Sequence, residues 1–157
     1  MEFIRLTQND GEDRENLYDN MLWLFSRNDG KDHTYSVGYF VDPEGHLISK
    51  MHSAFCFFPT KEITGLNFII HAPFLLTDSR EGILAGKQHN LDMISLLSEL
   101  AADSLVYLRD IGQSKTVPLI DDNIYDIVPY DDNNFGDVTS KKSYFFQTVL
   151  HCYKRDF

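Results

Sequence analysis

Cysteine is scarce in this chain. Its 157 residues include two, Cys56 and Cys152, too few for a disulfide scaffold or a cysteine metal cluster. Positive charge is also in short supply: 14 Lys and Arg stand against 24 Asp and Glu, a formal net charge of −10. Broad binding to a phosphate backbone needs a basic footprint, so no nucleic-acid partner is expected. A small local cationic site is still compatible with this balance. No apolar run approaches the roughly 20 residues of a membrane helix. The start, Met1-Glu2-Phe3-Ile4-Arg5, lacks the basic-then-apolar order of a signal peptide. A cytoplasmic protein with no membrane partner is the expectation.

Several motifs are missing as well. Neither Gly-x-x-x-x-Gly-Lys-Ser/Thr nor Gly-x-Gly-x-x-Gly occurs, so the chain shows no nucleotide pocket of its own. No Gly-x-Ser-x-Gly elbow is present to activate a serine. The acidic pairs Asp121-Asp122 and Asp131-Asp132 do not form the alternating Asp loop that calcium requires. His33, His46, His52, His89 and His151 show no metal-ligand spacing, and no metal site is expected.

The chain does have the material for a core. Hydrophobic residues make up 43% and aromatics 13%, which places it among folded domains rather than disordered ones. Residues 3–6 suit a short strand. Residues 14–25 place Leu17, Met21 and Leu24 at i, i+4, i+7, the spacing of one helical face; residues 23–26 suit a strand equally. Tyr35–Val41 is rich in strand formers, Asp42-Pro43-Glu44-Gly45 is a turn, and residues 46–49 return as a strand. Ser53–Phe58 reads as a strand covered on both faces, with Cys56 a buried thiol. Residues 59–65 read as a loop and Leu66–Ala72 as a fourth strand, ended by Pro73.

Residues 78–86 read as a frail helical start, with Asp78 as cap and Glu81 three residues on. The main helix is expected over 87–111, where Leu91, Ile94, Leu97, Ala101, Leu105 and Leu108 form an apolar stripe and Gly112 provides a stop. These elements define a domain over 1–112. An acidic irregular linker follows over 113–142, then a short helix over 143–157, where Phe145, Phe146, Val149, Leu150 and Tyr153 fall at helical spacing.

The chemistry concentrates at Arg80, between Ser79 and Glu81. An ordinary surface arginine would pair with Asp78 or Glu81. An arginine at a helix N-terminus, however, opposes the helix dipole and needs some other reason to be there. Beside free backbone N–H groups it would suit a phosphate. Ser79 would serve as a nucleophile only with a base nearby. His71, at the end of the fourth strand, reads as a half-buried histidine.

A wider pattern gathers around these residues. Phe57-Phe58-Pro59-Thr60-Lys61-Glu62-Ile63-Thr64-Gly65-Leu66-Asn67-Phe68, His71-Ala72-Pro73-Phe74, Thr77-Asp78-Ser79-Arg80-Glu81 and His89-Asn90 resemble a set of bacterial ATP-binding proteins. Those carry an ATPase domain of the heat-shock-protein-90 (GHKL) type, and the similar segment lies just after it. The resemblance spans about residues 20–112, and the tail more weakly. It implies a transducer-like α/β (α+β) fold: a mixed sheet of about four strands with helices packed on one face.

The resemblance also implies that Arg80 contacts the γ-phosphate of ATP held by a separate N-terminal ATPase domain, with Ser79 beside it. That domain would be the partner and would bring ATP and Mg, and a homodimer is compatible. The chain itself would hold no cofactor and would not be an enzyme alone. Two departures stand out. Leu84 occupies the place of a glutamine found four residues after the arginine, and Thr77 and Asp78 stand where an asparagine precedes the serine. The other reading is a non-catalytic protein-protein interaction module in which Arg80 is structural.

Overall fold

The strand over residues 34–41 sets the architecture, because every residue from Tyr35 to Val41 is buried. A strand can hide both faces only at the centre of a sheet with both sides covered. In the computed structural model, which describes residues 2–6, 20–115 and 124–127, this strand has partners on both edges. The strands are β1 (Glu2–Leu6), β2 (Asn20–Asn28), β3 (Thr34–Val41), β4 (Leu47–Ile48), β5 (Ser53–Cys56), β6 (Phe58–Ile63) and β7 (Ile69–His71). They form one seven-stranded sheet in the order β1-β2-β3-β7-β5-β6, with β4 also paired to β3. Pairing is antiparallel except between β5 and β7, which run parallel. The sheet is therefore mixed.

A long helix, α1 (Gln88–Lys115), and a single turn, α2 (Ile124–Ile127), complete the described fold. Both pack on one face of the sheet. The main core joins Phe25, Val37, Tyr39, Ile70, Ala54 and Cys56 from the strands to Leu97, Ala101, Leu105 and Leu108 from α1 and to Ile124 and Ile127 from α2. Tyr39 is wholly buried, and its hydroxyl reaches the Ala101 carbonyl at 3.2 Å and Ser104 Oγ at 2.9 Å. These bonds satisfy a polar atom that burial would otherwise penalise. Burial also holds the Tyr39 phenol firmly protonated, against the opposing Ser104 bond.

The opposite face carries a smaller apolar cluster, Leu22, Phe40 and Ile69, with Leu24 and Phe55 against it. Gly38 lies beneath Leu22: a Cβ added there would meet Leu22 Cδ1 at 3.1 Å. That close approach is why the centre of β3 has no side chain at this position.

The expected fold class holds, with seven strands where about four were expected. Residues 20–25, read as the end of a helix over 14–25 with a strand equally suited from residue 23, belong to β2. Leu22 and Leu24 face one side while Phe25 packs into the main core on the other, and two apolar faces conceal the period of two. Residues 14–19 lie outside the described residues. The expected loop 59–65 is mostly β6, an edge strand on which Pro59 is tolerated.

The helix begins at Gln88, as the stripe required, but runs past Gly112 to Lys115. A glycine weakens a helix by only about 1 kcal/mol, and the buried Leu108 and Leu105, one and two turns earlier, outweigh it. Residues 124–127, expected in the irregular linker, form α2. The Asp126 carbonyl there accepts hydrogen bonds from Asn67 Nδ2 at 2.6 Å and Ser49 Oγ at 3.4 Å. The expected helix over 143–157 lies outside the described residues. No helix among the described residues is long and apolar enough to cross a membrane.

Candidate functional site

Arg80 does not open a helix. Residues 73–87 instead form a hairpin-like excursion between β7 and α1. Leu76 and Ile83 make an isolated antiparallel bridge. Thr77 N–H donates to the Gly82 carbonyl at 2.8 Å, and Leu84 N–H to the Leu75 carbonyl at 2.9 Å. At the tip, Arg80 N–H donates to the Thr77 carbonyl at 2.8 Å, closing a four-residue turn. The local sequence suits this: Thr77, Asp78 and Ser79 are turn formers, and Thr77 Oγ1 accepts from Gly82 N–H at 3.2 Å. The expected cap at Asp78, the helical first turns over 78–86 and the free N–H groups of a helix end are all absent from this loop.

The tip is strained. Arg80 has φ 58°, in the left-handed region that costs a residue with a side chain roughly 1–2 kcal/mol. Such a conformation persists only where the surroundings impose it, and here they do so from two directions. From the helix, Asn90 is 2% exposed and spends its whole amide on the hairpin. Its Oδ1 accepts from Leu75 N–H at 2.8 Å, and its Nδ2 donates to the Leu75 and Leu84 carbonyls, each at 2.9 Å. His89 Nε2 donates to the Pro73 carbonyl at 2.8 Å.

From the sheet, Lys61 N–H on edge strand β6 donates to the Glu81 carbonyl at 2.8 Å, and Glu62 Oε2 accepts from Ile83 N–H at 3.4 Å. Lys61 Nζ also pairs with Glu81 Oε1 at 2.6 Å, an exposed ion pair worth under about 1 kcal/mol. Glu81 is therefore engaged with Lys61. Among the described residues the Arg80 guanidinium has no ion-pair partner, and Ser79 and Arg80 are both exposed. Ser79 Oγ lies 3.2 Å from Thr77 Oγ1, so its hydroxyl helps to close the turn.

The remaining candidates separate from this site. The His71 ring meets Phe57 edge-on at 5.9 Å, and burial pulls its pKa down. No hydrogen bond among the described residues joins Ser79 to His71, so the structure does not assemble a serine–histidine pair. Cys56 is buried as expected. Burial raises its thiol pKa, and Sγ donates to the Phe74 carbonyl at 3.4 Å, which keeps it a poor nucleophile. Among the described residues no group of three or more His, Cys, Asp or Glu is placed to hold a metal ion.

Reasoning from the sequence gave Asn90 no role. Its one signal was chemical: an asparagine is a poor helix former, so one in the first helical turn needs a task for its side chain.

Searches against protein-family models, curated proteins and solved structures return no match to this chain.

Proposed function

We propose that this chain is an accessory, transducer-type module that presents Arg80 to the γ-phosphate of ATP held by a separate domain. The observation that carries this reading is the state of Arg80: an exposed guanidinium, with no ion-pair partner among the described residues, on a strained turn braced from both helix and sheet. A strained backbone over-determined by its surroundings is a common mark of a functional position. An arginine supplied from outside a nucleotide pocket stabilises charge that develops during phosphoryl transfer. In this reading ATP and Mg belong to the partner domain, Ser79 shapes the turn, and the chain alone turns over no ATP.

The test is Arg80→Ala in the assembly, fused or reconstituted, that contains the ATP-holding domain. Turnover should fall at least about a thousandfold, the scale on which an arginine finger acts, with nucleotide affinity nearly unchanged. Unchanged turnover would sink the catalytic role.

A second reading, a non-catalytic protein-interaction module, draws on a different observation. Phe57, Phe58 and Ile63 are 74%, 78% and 61% exposed along the β5–β6 edge, an unusual concentration of large apolar side chains in water. A partner would cover them. The structural role for Arg80 in that reading gains nothing from the geometry, since its guanidinium makes no ion pair among the described residues. The two readings part on one comparison. If Phe58→Ser abolishes association with a partner while Arg80→Ala changes neither association nor turnover, the interaction module is correct.

A further inference from the structure

Two histidines far apart in sequence meet where the β2–β3 turn approaches the start of α1. The rings of His33 and His89 lie 5.6 Å apart, centroid to centroid, with their planes at 76°. Each ring has one nitrogen committed to an atom that can only accept a proton. His33 Nδ1 donates to the Asp29 carboxylate, Oδ2, at 2.8 Å, and His89 Nε2 donates to the Pro73 carbonyl at 2.8 Å. The tautomers are therefore fixed. In the neutral rings the lone pairs sit on His33 Nε2 and His89 Nδ1, and neither nitrogen has another hydrogen bond among the described residues.

A metal-binding histidine is typically held in this way. Its second N–H is donated to a carboxylate or a backbone carbonyl, which orients the ring and raises its basicity. With zinc–nitrogen bonds of about 2.0–2.1 Å and tetrahedral angles, two ligating imidazole centroids come to roughly 5 Å apart. The observed separation is close to that. The Asp29 carboxylate is itself held, accepting from Lys31 N–H at 2.7 Å and His33 N–H at 3.1 Å. The His33 side chain is 40% exposed, so a hydrated ion can reach it.

We propose that His33 and His89 form a two-histidine site for a divalent transition-metal ion such as Zn2+, ligated by His33 Nε2 and His89 Nδ1 and completed by water. The ion ties the β2–β3 turn to the first turn of α1. His89 is also the residue that holds Pro73, at the base of the Arg80 hairpin, so the ion would stiffen that base. His46 supplies an internal control. It repeats the local arrangement, with Nδ1 on Asp42 Oδ2 at 3.1 Å, but no second imidazole meets it among the described residues.

The experiment is a calorimetric titration of the full chain, stripped of metal, with Zn2+. The expected result is one ion per chain with micromolar affinity. His33→Gln and His89→Gln should each weaken binding at least about tenfold, and His46→Gln should leave it unchanged. Nitrogen-15 spectra of the histidine rings should show His33 Nε2 and His89 Nδ1 moving on addition of Zn2+. If His89→Gln disturbs folding by releasing Pro73, the His33→Gln titration and the ring spectra decide the matter. No saturable binding, wild-type affinity in His33→Gln, or ring nitrogens that do not move would each overturn the site.

Discussion

The turn at Asp29–His33 and the turn that carries Arg80 solve the same problem in opposite ways. The first is held by its own residues. Asp29 N–H donates to the His33 carbonyl at 3.0 Å, and the Asp29 carboxylate accepts from Lys31, from His33 N–H and from the His33 ring. Asp42–His46 repeats most of the scheme at the other end of β3: Asp42 N–H donates to the His46 carbonyl, and the Asp42 carboxylate accepts from His46 N–H and the His46 ring. The Arg80 hairpin has local bonds too, but its base is gripped by Asn90 and His89 of α1 and its flank by Lys61 and Glu62 of β6. A turn closed by its own side chains only has to reverse the chain. A turn closed by distant elements has its tip placed relative to the rest of the molecule, as a residue that must meet a partner at a set position requires.

The substitution that should break this contrast most severely is Asn90→Ala. It leaves the Leu75 N–H and the Leu75 and Leu84 carbonyls without their amide partner, at a cost of about 3 kcal/mol. Thermal unfolding should move down by several degrees. If the hairpin is placed as argued, turnover in the assembly with the ATP-holding domain should fall alongside, although Asn90 touches no phosphate. A stability loss with turnover intact would separate the brace from the tip.

Asp29→Ala should give a smaller loss of stability and, in the metal-free assembly, leave turnover unchanged, because the hydrogen bonds that close its turn are its own. Acid sharpens the same point. Burial tends to raise the carboxyl pKa of Asp29 and Asp42, but the hydrogen bonds they accept outweigh it and hold both below the ordinary value. A carboxylate depressed in the folded state contributes stability above its unfolded pKa and loses it as pH falls through the folded one. The wild type should therefore lose stability below about pH 4, and Asp29→Ala should flatten part of that acid limb in a melting series.

The smallest effect on stability belongs to Arg80→Gly. Glycine adopts φ 58° without the steric penalty but gains freedom in the unfolded chain. The two nearly offset, so the melting temperature should change by no more than the equivalent of about 1 kcal/mol while turnover collapses. A large stability loss would show that the arginine side chain supports the fold after all.

The same contrast explains what the sequence made legible. Asp42-Pro43-Glu44-Gly45 announces its turn because the residues that close it are the residues in it. The stripe from Ile94 to Leu108 announces α1 because its period and its burial coincide. Residues 20–25 stayed ambiguous between helix and strand because Leu22 and Phe25 serve opposite faces of one strand, so neither period stands clear. At the candidate site, Ser79 and Arg80 were visible as chemistry, but their setting was not. Asn90, Lys61 and Glu62 reach the hairpin only through the tertiary fold, and no local pattern in residues 73–87 encodes them.

The Asn90 amide also has a bearing on time. It joins two hairpin legs, at Leu75 and Leu84, to the first turn of α1, so the segment between them opens only when those three bonds are released together. The amides of Leu75, Thr77 and Leu84 should exchange with solvent as one unit, ahead of those buried in β3, by an excursion that leaves the core intact. The segment that holds the arginine would then have a clock of its own, slower than side-chain motion and faster than global unfolding.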